Sequence, residues 1–411
     1  MAKKKSSKSK GDALLDELLG MPKKLKTKKG RKKVFFQLVL YSILWIGLIV
    51  SLFYQNTIDK AMNKTEFNFD SSIVSSDYKV HFIDVGQGDC SLIQFPDGKN
   101  MMIDTGESSS KNNLVRYLDA LEVTQIDYLI LTHPDSDHIG NAVTVFETYD
   151  IISVYLPPIY SKYDVDNGFV DSTNGYKTKT TASWNNVVKA VYNEKDSNVL
   201  KELKYNEEHS EITGTDDSSN VLYTIDMYPP KLEDIKDSNG YSPFIFITIG
   251  TDKFMFAGDA DFDDEKNFLA NNATKVVDNF FDCSVLKVGH HGSATSTSTD
   301  FLNAVQPEYA VISCGKGNKY GHPTEKALNT LNEISGITIK RTDLEGSIVF
   351  GTGGTKVVNQ SSYNHVSDIY YEWKYFVICG GVLIAICFVL VIRADKKAQQ
   401  KEERSSKNSK K

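Results

Sequence analysis

The stretch His133-Pro134-Asp135-Ser136-Asp137-His138 constrains this chain more than any other. Four groups able to bind a metal, His133, Asp135, Asp137 and His138, fall at spacings of two, two and one residues. They follow the apolar run Tyr128-Leu129-Ile130-Leu131-Thr132 directly. A run of that kind reads as a buried strand, and the cluster behind it reads as the loop at the strand's end. Alternate ligands in an extended loop can point into one cleft, while the adjacent Asp137-His138 pair can reach a neighbouring position. The competing reading is a polar turn that happens to be rich in His and Asp. Further motifs in the chain decide between the two.

Two apolar segments set where such a site would work. Val34–Tyr54 has 21 residues and Tyr375–Ile392 has 18, and neither contains a charge. Each is about long enough to cross a hydrocarbon core of roughly 30 Å as a helix. A secretory signal is a poorer reading of the first, because its preceding tail is long and no small-x-small site follows Tyr54. Residues 1–33 carry 13 Lys+Arg against 3 Asp+Glu, and residues 393–411 carry 8 against 3. The stretch between them keeps 26 basic and 47 acidic residues, a net of −21. Basic flanks stay cytoplasmic. The expectation is a two-pass protein of the cell membrane, with both tails inside and an acidic extracellular domain. The Lys-rich tail reads as a juxtamembrane signal touching anionic lipid rather than as a nucleic-acid site.

Organisation follows from these anchors. Residues 1–33 form a basic cytoplasmic tail, 34–54 a transmembrane helix, and 55–77 a linker. A hydrolase-sized domain covers 78–355, a second linker 356–374, a second transmembrane helix 375–392, and a basic cytoplasmic tail 393–411. Residues 157–238 read as a polar insertion, with helices expected at Trp184–Tyr192 and in the Glu-rich stretch near 202–211. Strand-like sequence recurs through the rest of the domain, with helical stretches at Asn112–Leu121, Phe301–Val305 and Thr324–Ile334. Layered sheets flanked by helices are the expected architecture. Of five cysteines, Cys379 and Cys387 lie in the second apolar segment. The other three, Cys90, Cys283 and Cys314, adjoin strand-like sequence and read as small core residues rather than a disulfide framework.

Six further motifs accompany the first: HFIDVGQGDCSLIQ (81–94), MMIDTG (101–106), FMFAGDAD (254–261), LKVGHHGSATSTS (286–298), YGHP (320–323) and RTDLEGSI (341–348). With LTHPDSDHIGN (131–141) and in this order, they make the chain resemble the metallo-β-lactamase superfamily. Within it, the motifs resemble those of ComEC-like extracytoplasmic metallohydrolases and related secreted phosphodiesterases. The resemblance covers about residues 78–355 and implies an α/β fold, the αββα sandwich, with a metal cleft along one edge of its two sheets. It implies that His133, Asp135, Asp137 and His138 are ligands, that Asp259 bridges two metals, and that His322 is the last histidine of the second site. The common family also places a histidine between the first cluster and the bridging aspartate. Here only His209 lies in that interval, and no motif surrounds it. One of the adjacent His290 and His291 would take its place; His291 is assigned as the ligand and His290 as its helper.

One or two divalent ions, Zn²⁺ or Mn²⁺, would then be the cofactor, since paired cations make a bridging water acidic and offset charge at the attacked centre. Asp135, in place of the usual second histidine, adds an oxygen ligand and shifts preference towards harder ions. Asp137 or Asp259 would handle the water's proton, and His290 would protonate the leaving oxygen. Asp104 resembles the family's supporting carboxylate. Asp84, Gln87 and Asp89 should lie near the cleft, although a plain hairpin turn explains Gln87 equally well. Ser293, Thr295, Ser296 and Ser298 either bind substrate or cap the helix near Phe301.

The resulting expectation is a membrane-anchored, outward-facing, metal-dependent phosphodiesterase. Its substrate would be extracellular nucleic acid, DNA or RNA, or a phosphodiester of an envelope polymer such as a teichoic-acid substituent. A domain of net charge −21 repels a long polyanion unless local cations help, and Lys287, Lys316 and Lys319 are the candidates. Two spans are too few for an uptake channel. The alternative function is a non-catalytic binding or assembly subunit that retains the fold. β-Lactam hydrolysis fits the HHGS element and Asp135 poorly.

Overall fold

The computed structural model describes residues 35–36, 39–46, 76–159, 181–193, 200–202, 210–352 and 357–362, with isolated positions after 388. The chain divides into two units, 1–61 with 366–411, and 62–365.

In the first unit, the described residues between Phe35 and Ile46 are helical, and Phe36, Ile43 and Leu44 are exposed. No helix among the described residues is long and apolar enough to cross a membrane. Most of the two apolar segments, 34–54 and 375–392, lie outside the described residues, as do nearly all of both basic tails and residues 55–75 of the first linker.

The second unit contains two large sheets. From edge to edge the first runs Val357–Ser362, Ser347–Thr352, Lys79–Phe82, Ser91–Gln94, Asn100–Ile103, Tyr128–Ile130, Val154–Leu156, Leu200–Glu202. The second runs Thr338–Arg341, Tyr309–Ile312, Val285–Lys287, Asp252–Phe256, Phe244–Ile249, Val221–Tyr228, Ser210–Thr215. Each sheet is antiparallel on one side and parallel on the other.

Period-two patterning explains why the sheets stack. In the second sheet Ile245, Ile247, Phe254, Phe256, Val285 and Val311 join the core shared with Val80, Phe82, Leu92 and Met102 of the first. Their neighbours Phe246, Met255, Leu286, Ala310 and Ile312 face the opposite way, onto Phe268, Phe301, Leu302 and Leu331 of three helices. The Phe82 and Phe256 rings stack across the sheets at 5.7 Å. Each such buried phenylalanine contributes about 1.5–3 kcal/mol. On the outer face of the first sheet, Leu114, Tyr117, Val145, Trp184 and Val188 supply the helical layer. The layer order is therefore helix, sheet, sheet, helix.

Capping chemistry starts the helices that follow the second sheet's strands. Asp261 accepts from the backbone of Asp263 and Asp264 in a capping box that opens Phe262–Asn271. Ser298 opens Thr299–Val305 by accepting from Phe301 N, and Thr324 opens Glu325–Asn332 by accepting from Ala327 N.

Three expectations are corrected. The Glu-rich stretch near 202–211 is bounded by strands, Leu200–Glu202 and Ser210–Thr215, rather than forming one helix; its middle lies outside the described residues. The 356–374 linker contains the edge strand Val357–Ser362, whose ladder with Ser347–Thr352 holds a mostly polar segment that hydropathy does not mark. The polar 157–238 segment supplies Trp184, Val188, Tyr223, Ile225 and Met227 to the core, so part of it belongs to the sandwich. Cys90, Cys283 and Cys314 are buried free thiols.

Candidate metal centre

Loops at the carboxyl ends of the parallel strands build the site, the usual crevice in open α/β sheets. Asn100–Ile103 delivers Asp104, and Tyr128–Ile130 delivers Thr132 and the His133–His138 loop. From the second sheet, Asp252–Phe256 delivers Asp259, Val285–Lys287 delivers His290 and His291, and Tyr309–Ile312 leads to His322.

Asp259 is the centre. Its Oδ1 lies 3.1 Å from His138 Nε2. Its Oδ2 lies 3.6 Å from both His290 Nε2 and His291 Nε2, and 3.9 Å from His133 Nε2. The two oxygens thus face different histidines, the disposition a bridging carboxylate needs. Asp137 Oδ2 lies 3.4 Å from His291 Nε2. The His322 ring stands 5.7 Å from His290 and 6.2 Å from His291. Asp135, half-buried at the start of the short helix Ser136–Ile139, is pushed up by burial against a hydrogen bond with Ser238. Asp89, His138, Asp259 and His291 each present an atom within 4.8 Å of the others.

Hydrogen bonds behind the histidines set their tautomers. Asp104 Oδ2 takes the Nδ1 proton of His138 at 2.7 Å and the hydroxyl of Thr132 at 2.7 Å. With its own proton so engaged, Thr132 Oγ1 accepts from His133 Nδ1 at 3.0 Å. His291 Nδ1 donates to Ser313 O at 3.0 Å, and Asp89 Oδ1 lies 3.0 Å from the same nitrogen as a charge partner. In all three rings the Nε2 lone pair is left facing the centre.

Those Nε2 atoms of His133, His138 and His291 are buried and without hydrogen-bond partners, as are Asp259 Oδ1 and His322 Nδ1. Leaving such atoms unsatisfied costs about 1–3 kcal/mol each. Their convergence fits a divalent cation. Charge points the same way. Burial opposes protonation of His138 and His291, yet Asp259 with Asp104 holds the first high and Asp259 with Asp89 holds the second at about 10. A pocket that concentrates positive charge on buried imidazoles suits a cation in place of those protons.

The backbone is strained where the pair His290-His291 sits: both occupy left-handed conformations, at φ of 46° and 56°. Such conformations cost a non-glycine residue about 1–3 kcal/mol. Strain of this kind turns two adjacent side chains toward one point, with both Nε2 atoms equidistant from Asp259 Oδ2. Geometry therefore treats His290 and His291 alike as donors, although His291 is buried and His290 is partly exposed.

The GQGD loop braces the site from the first sheet. A Cβ at Gly88 would stand 2.2 Å from Asp137 O, so only glycine allows this approach. Gln87 Oε1 accepts from Gly315 N at 3.1 Å, tying down the loop that leads to His322. Asp84 accepts from Gly86 N at 3.0 Å inside its own turn, so that oxygen serves the turn. Ser293 bonds within its loop to Thr295, and Ser296 donates to Gly289 O. Lys287 is corrected outright: it is 2% exposed, and its Nζ lies 2.6 Å from Asp89 Oδ2. It ends a central strand on the face turned toward the first sheet, away from any solvent-borne polyanion. His209 lies outside the described residues.

Ser242 has no counterpart in the sequence reading. Its Oγ accepts from Asp259 N at 3.0 Å and lies 3.3 Å from His133 Nδ1. No motif surrounds it, and His133 is 109 positions away. Glu265, fully buried, accepts from the backbone of Thr297 and Ser298 and fixes the far end of the HHGS loop.

ComE operon protein 3 of Bacillus subtilis (strain 168) is 29% identical over 294 residues, 67% of this chain and 33% of that protein. Competence protein ComA of Neisseria gonorrhoeae is 30% identical over 271 residues, 66% of this chain and 32% of that protein. The chain thus spans about a third of the length of the curated relatives it matches. Among solved structures, the metallo-beta-lactamase fold protein YhfI from Bacillus subtilis is similar at a TM-score of 0.40 and 11% identity, covering 69% of this chain and 100% of that one. The profile of the family described as Metallo-beta-lactamase superfamily matches residues 83–316, more than half of the sequence. The chain belongs to the metallo-beta-lactamase superfamily.

Proposed function

We propose that the chain is a membrane-anchored metallohydrolase that cleaves a phosphodiester outside the cytoplasm. The observation that carries the hydrolytic reading is the convergence of unpartnered, buried His133, His138 and His291 nitrogens on the two oxygens of Asp259. His133, Asp135 and one of His290 and His291 would hold one ion, Asp137, His138 and His322 a second, with Asp259 shared. When bound, Zn²⁺ or Mn²⁺ supplies Lewis acidity that lowers the pKa of water and offsets phosphate charge. Asp137, partly exposed beside His291, is placed to receive the proton of the attacking water. His290, whose side chain is 24% exposed, is placed to protonate the leaving oxygen. Anchoring is supported by the uncharged apolar segments, their basic flanks, and the outward apolar side chains of Phe36, Ile43 and Leu44.

Substrate class is the finer step. Similarity to a protein named for competence supports nucleic acid, while the acidic domain supports an envelope phosphodiester. The test uses the purified full-length chain, stripped of metal and reloaded with Mn²⁺ or Zn²⁺. It is offered bis-p-nitrophenyl phosphate, DNA, RNA, envelope glycopolymers and nitrocefin in parallel. Metal-dependent turnover of the diester and one polymer is expected. Metal uptake without turnover of any phosphodiester would leave a binding role instead.

A further inference from the structure

Lys287 is a lysine buried on a central parallel strand, beside a site built to collect cations. An ammonium in such a place costs several kcal/mol unless it is paired and hydrogen-bonded. It meets both conditions, at 2.6 Å from Asp89 Oδ2 and by donating to Val288 O at 2.9 Å. Asp89 in turn has its other oxygen, Oδ1, 3.0 Å from His291 Nδ1. Three buried groups therefore run in series from the second sheet to the first and back: Lys287, Asp89, His291. The order matters, because Asp89 meets His291 on Nδ1, the side opposite the Nε2 that faces Asp259 and Asp137.

Asp89 could act in two ways. Its carboxylate lies close enough to His138, Asp259 and His291 to join them around one ion. Alternatively, it stands behind His291 and serves only to aim it. Lys287 separates these possibilities, because it occupies Oδ2 and so holds the carboxylate on its own side. The backbone keeps it there: Asp89 N donates to Asp137 O at 3.1 Å, and Gly106 N donates to Asp89 O at 2.8 Å.

We propose that Lys287 is a positioning residue that keeps Asp89 out of the coordination sphere and makes it the brace fixing His291 Nε2 on the metal. This rests on the reading of the centre as a metal site. It makes a prediction opposite in sign to simple electrostatics. Removing a buried positive charge beside a cation site should tighten metal binding by relieving repulsion. If Lys287 acts by positioning, its removal weakens binding, because Asp89 is released and His291 is then held only by its bond to Ser313 O.

The experiment is a metal titration of the metal-free full-length chain against a chromophoric chelator, with Co²⁺ absorption as the spectroscopic readout. K287M is expected to weaken the tighter-bound ion about tenfold or more, the scale of a lost ligand support, and to shift the visible Co²⁺ bands. K287R, which keeps a cation, should restore part of both. H291A is expected to weaken binding at least as much, and K287M in the H291A background should add nothing. D89N should mirror K287M and serves as the independent variant if K287M does not fold. Metal binding equal to or tighter than wild type in K287M or D89N would overturn the proposal. So would losses that add in the K287M/H291A double variant. Absence of metal uptake by the wild-type chain would instead overturn the metal reading itself, which keeps the two failures distinct.

Discussion

His133, His138 and His291 each have a polar partner behind the ring, and two residues, Asp259 in the centre and Glu265 behind it, make distinct predictions. Asp259 faces three histidines through Oδ2 and a fourth through Oδ1. Asp259→Ala should therefore lose at least one ion per chain by elemental analysis, and turnover should fall more than about a hundredfold. Retention of full metal content would remove Asp259 from the shared position. Glu265 predicts a pH effect away from the ligands. Burial pushes its carboxyl up to about 7, against the hydrogen bonds from Ser298 and Thr297. A raised folded-state pKa means the unfolded chain ionises first, so the folded state loses relative stability as pH rises from about 4.5 to 7. Glu265→Gln lacks that titration. The stability of the wild type relative to this variant should fall by roughly 2–3 kcal/mol across that window, measured by denaturant unfolding. A difference independent of pH would refute the assignment.

At the scale of elements, sequence legibility tracked side-chain patterning. Phe244–Ile249, Asp252–Phe256 and Val285–Lys287 are largely apolar runs between turn residues, and the sequence marks them as strand-like at Pro243–Ile249, Lys253–Phe256 and Val285–Val288. Val357–Ser362 and Ser210–Thr215 are mostly polar and owe their strand form to a neighbour's ladder, which no local pattern reports. Helix Phe262–Asn271 carried a legible start signal, Asp261 with Asp264 three residues on, but its weak apolar periodicity hid it. The candidate ligands His133 and Asp259 were legible because each closely follows a strand, ending at Ile130 and at Phe256, whereas His322 lies well past Ile312 and was legible only through YGHP (320–323). Ser242, Lys287 and Glu265 were not, because their partners come from other segments of the chain. The GQGD turn tests this division. Gly88→Ala forces a Cβ to within 2.2 Å of Asp137 O at a backbone φ of 141°. It should cost about 1–3 kcal/mol in thermal unfolding and weaken metal binding through the displaced Asp137. Unchanged unfolding and metal affinity would mean the turn is free to shift.

Over the whole molecule, charge distribution underlies both the proposed topology and the proposed substrate. Basic tails around uncharged segments predict that cysteine labelling of intact cells reaches positions introduced at exposed Ser218 or Ser219 and spares the tails. The reverse pattern would place the chemistry in the cytoplasm. An acidic domain can still hold a polyanion if a few cations stand at the cleft's rim. With Lys287 buried, that role falls to Lys316 and Lys319. Lys319 Nζ lies 4.9 Å over the ring of Tyr320, and that ring stacks on His322 at 5.7 Å. If DNA is the substrate, neutralising both lysines should weaken its cleavage at low salt. The logarithmic dependence on salt should also become shallower by about 2, since each lost phosphate contact removes roughly one released counterion. Hydrolysis of bis-p-nitrophenyl phosphate should change little, because Lys316 and Lys319 lie outside the histidine and carboxylate cluster. Equal loss on both substrates would assign these lysines to holding the His322 loop. Robust turnover of the small diester with no cleavage of DNA would instead favour an envelope phosphodiester.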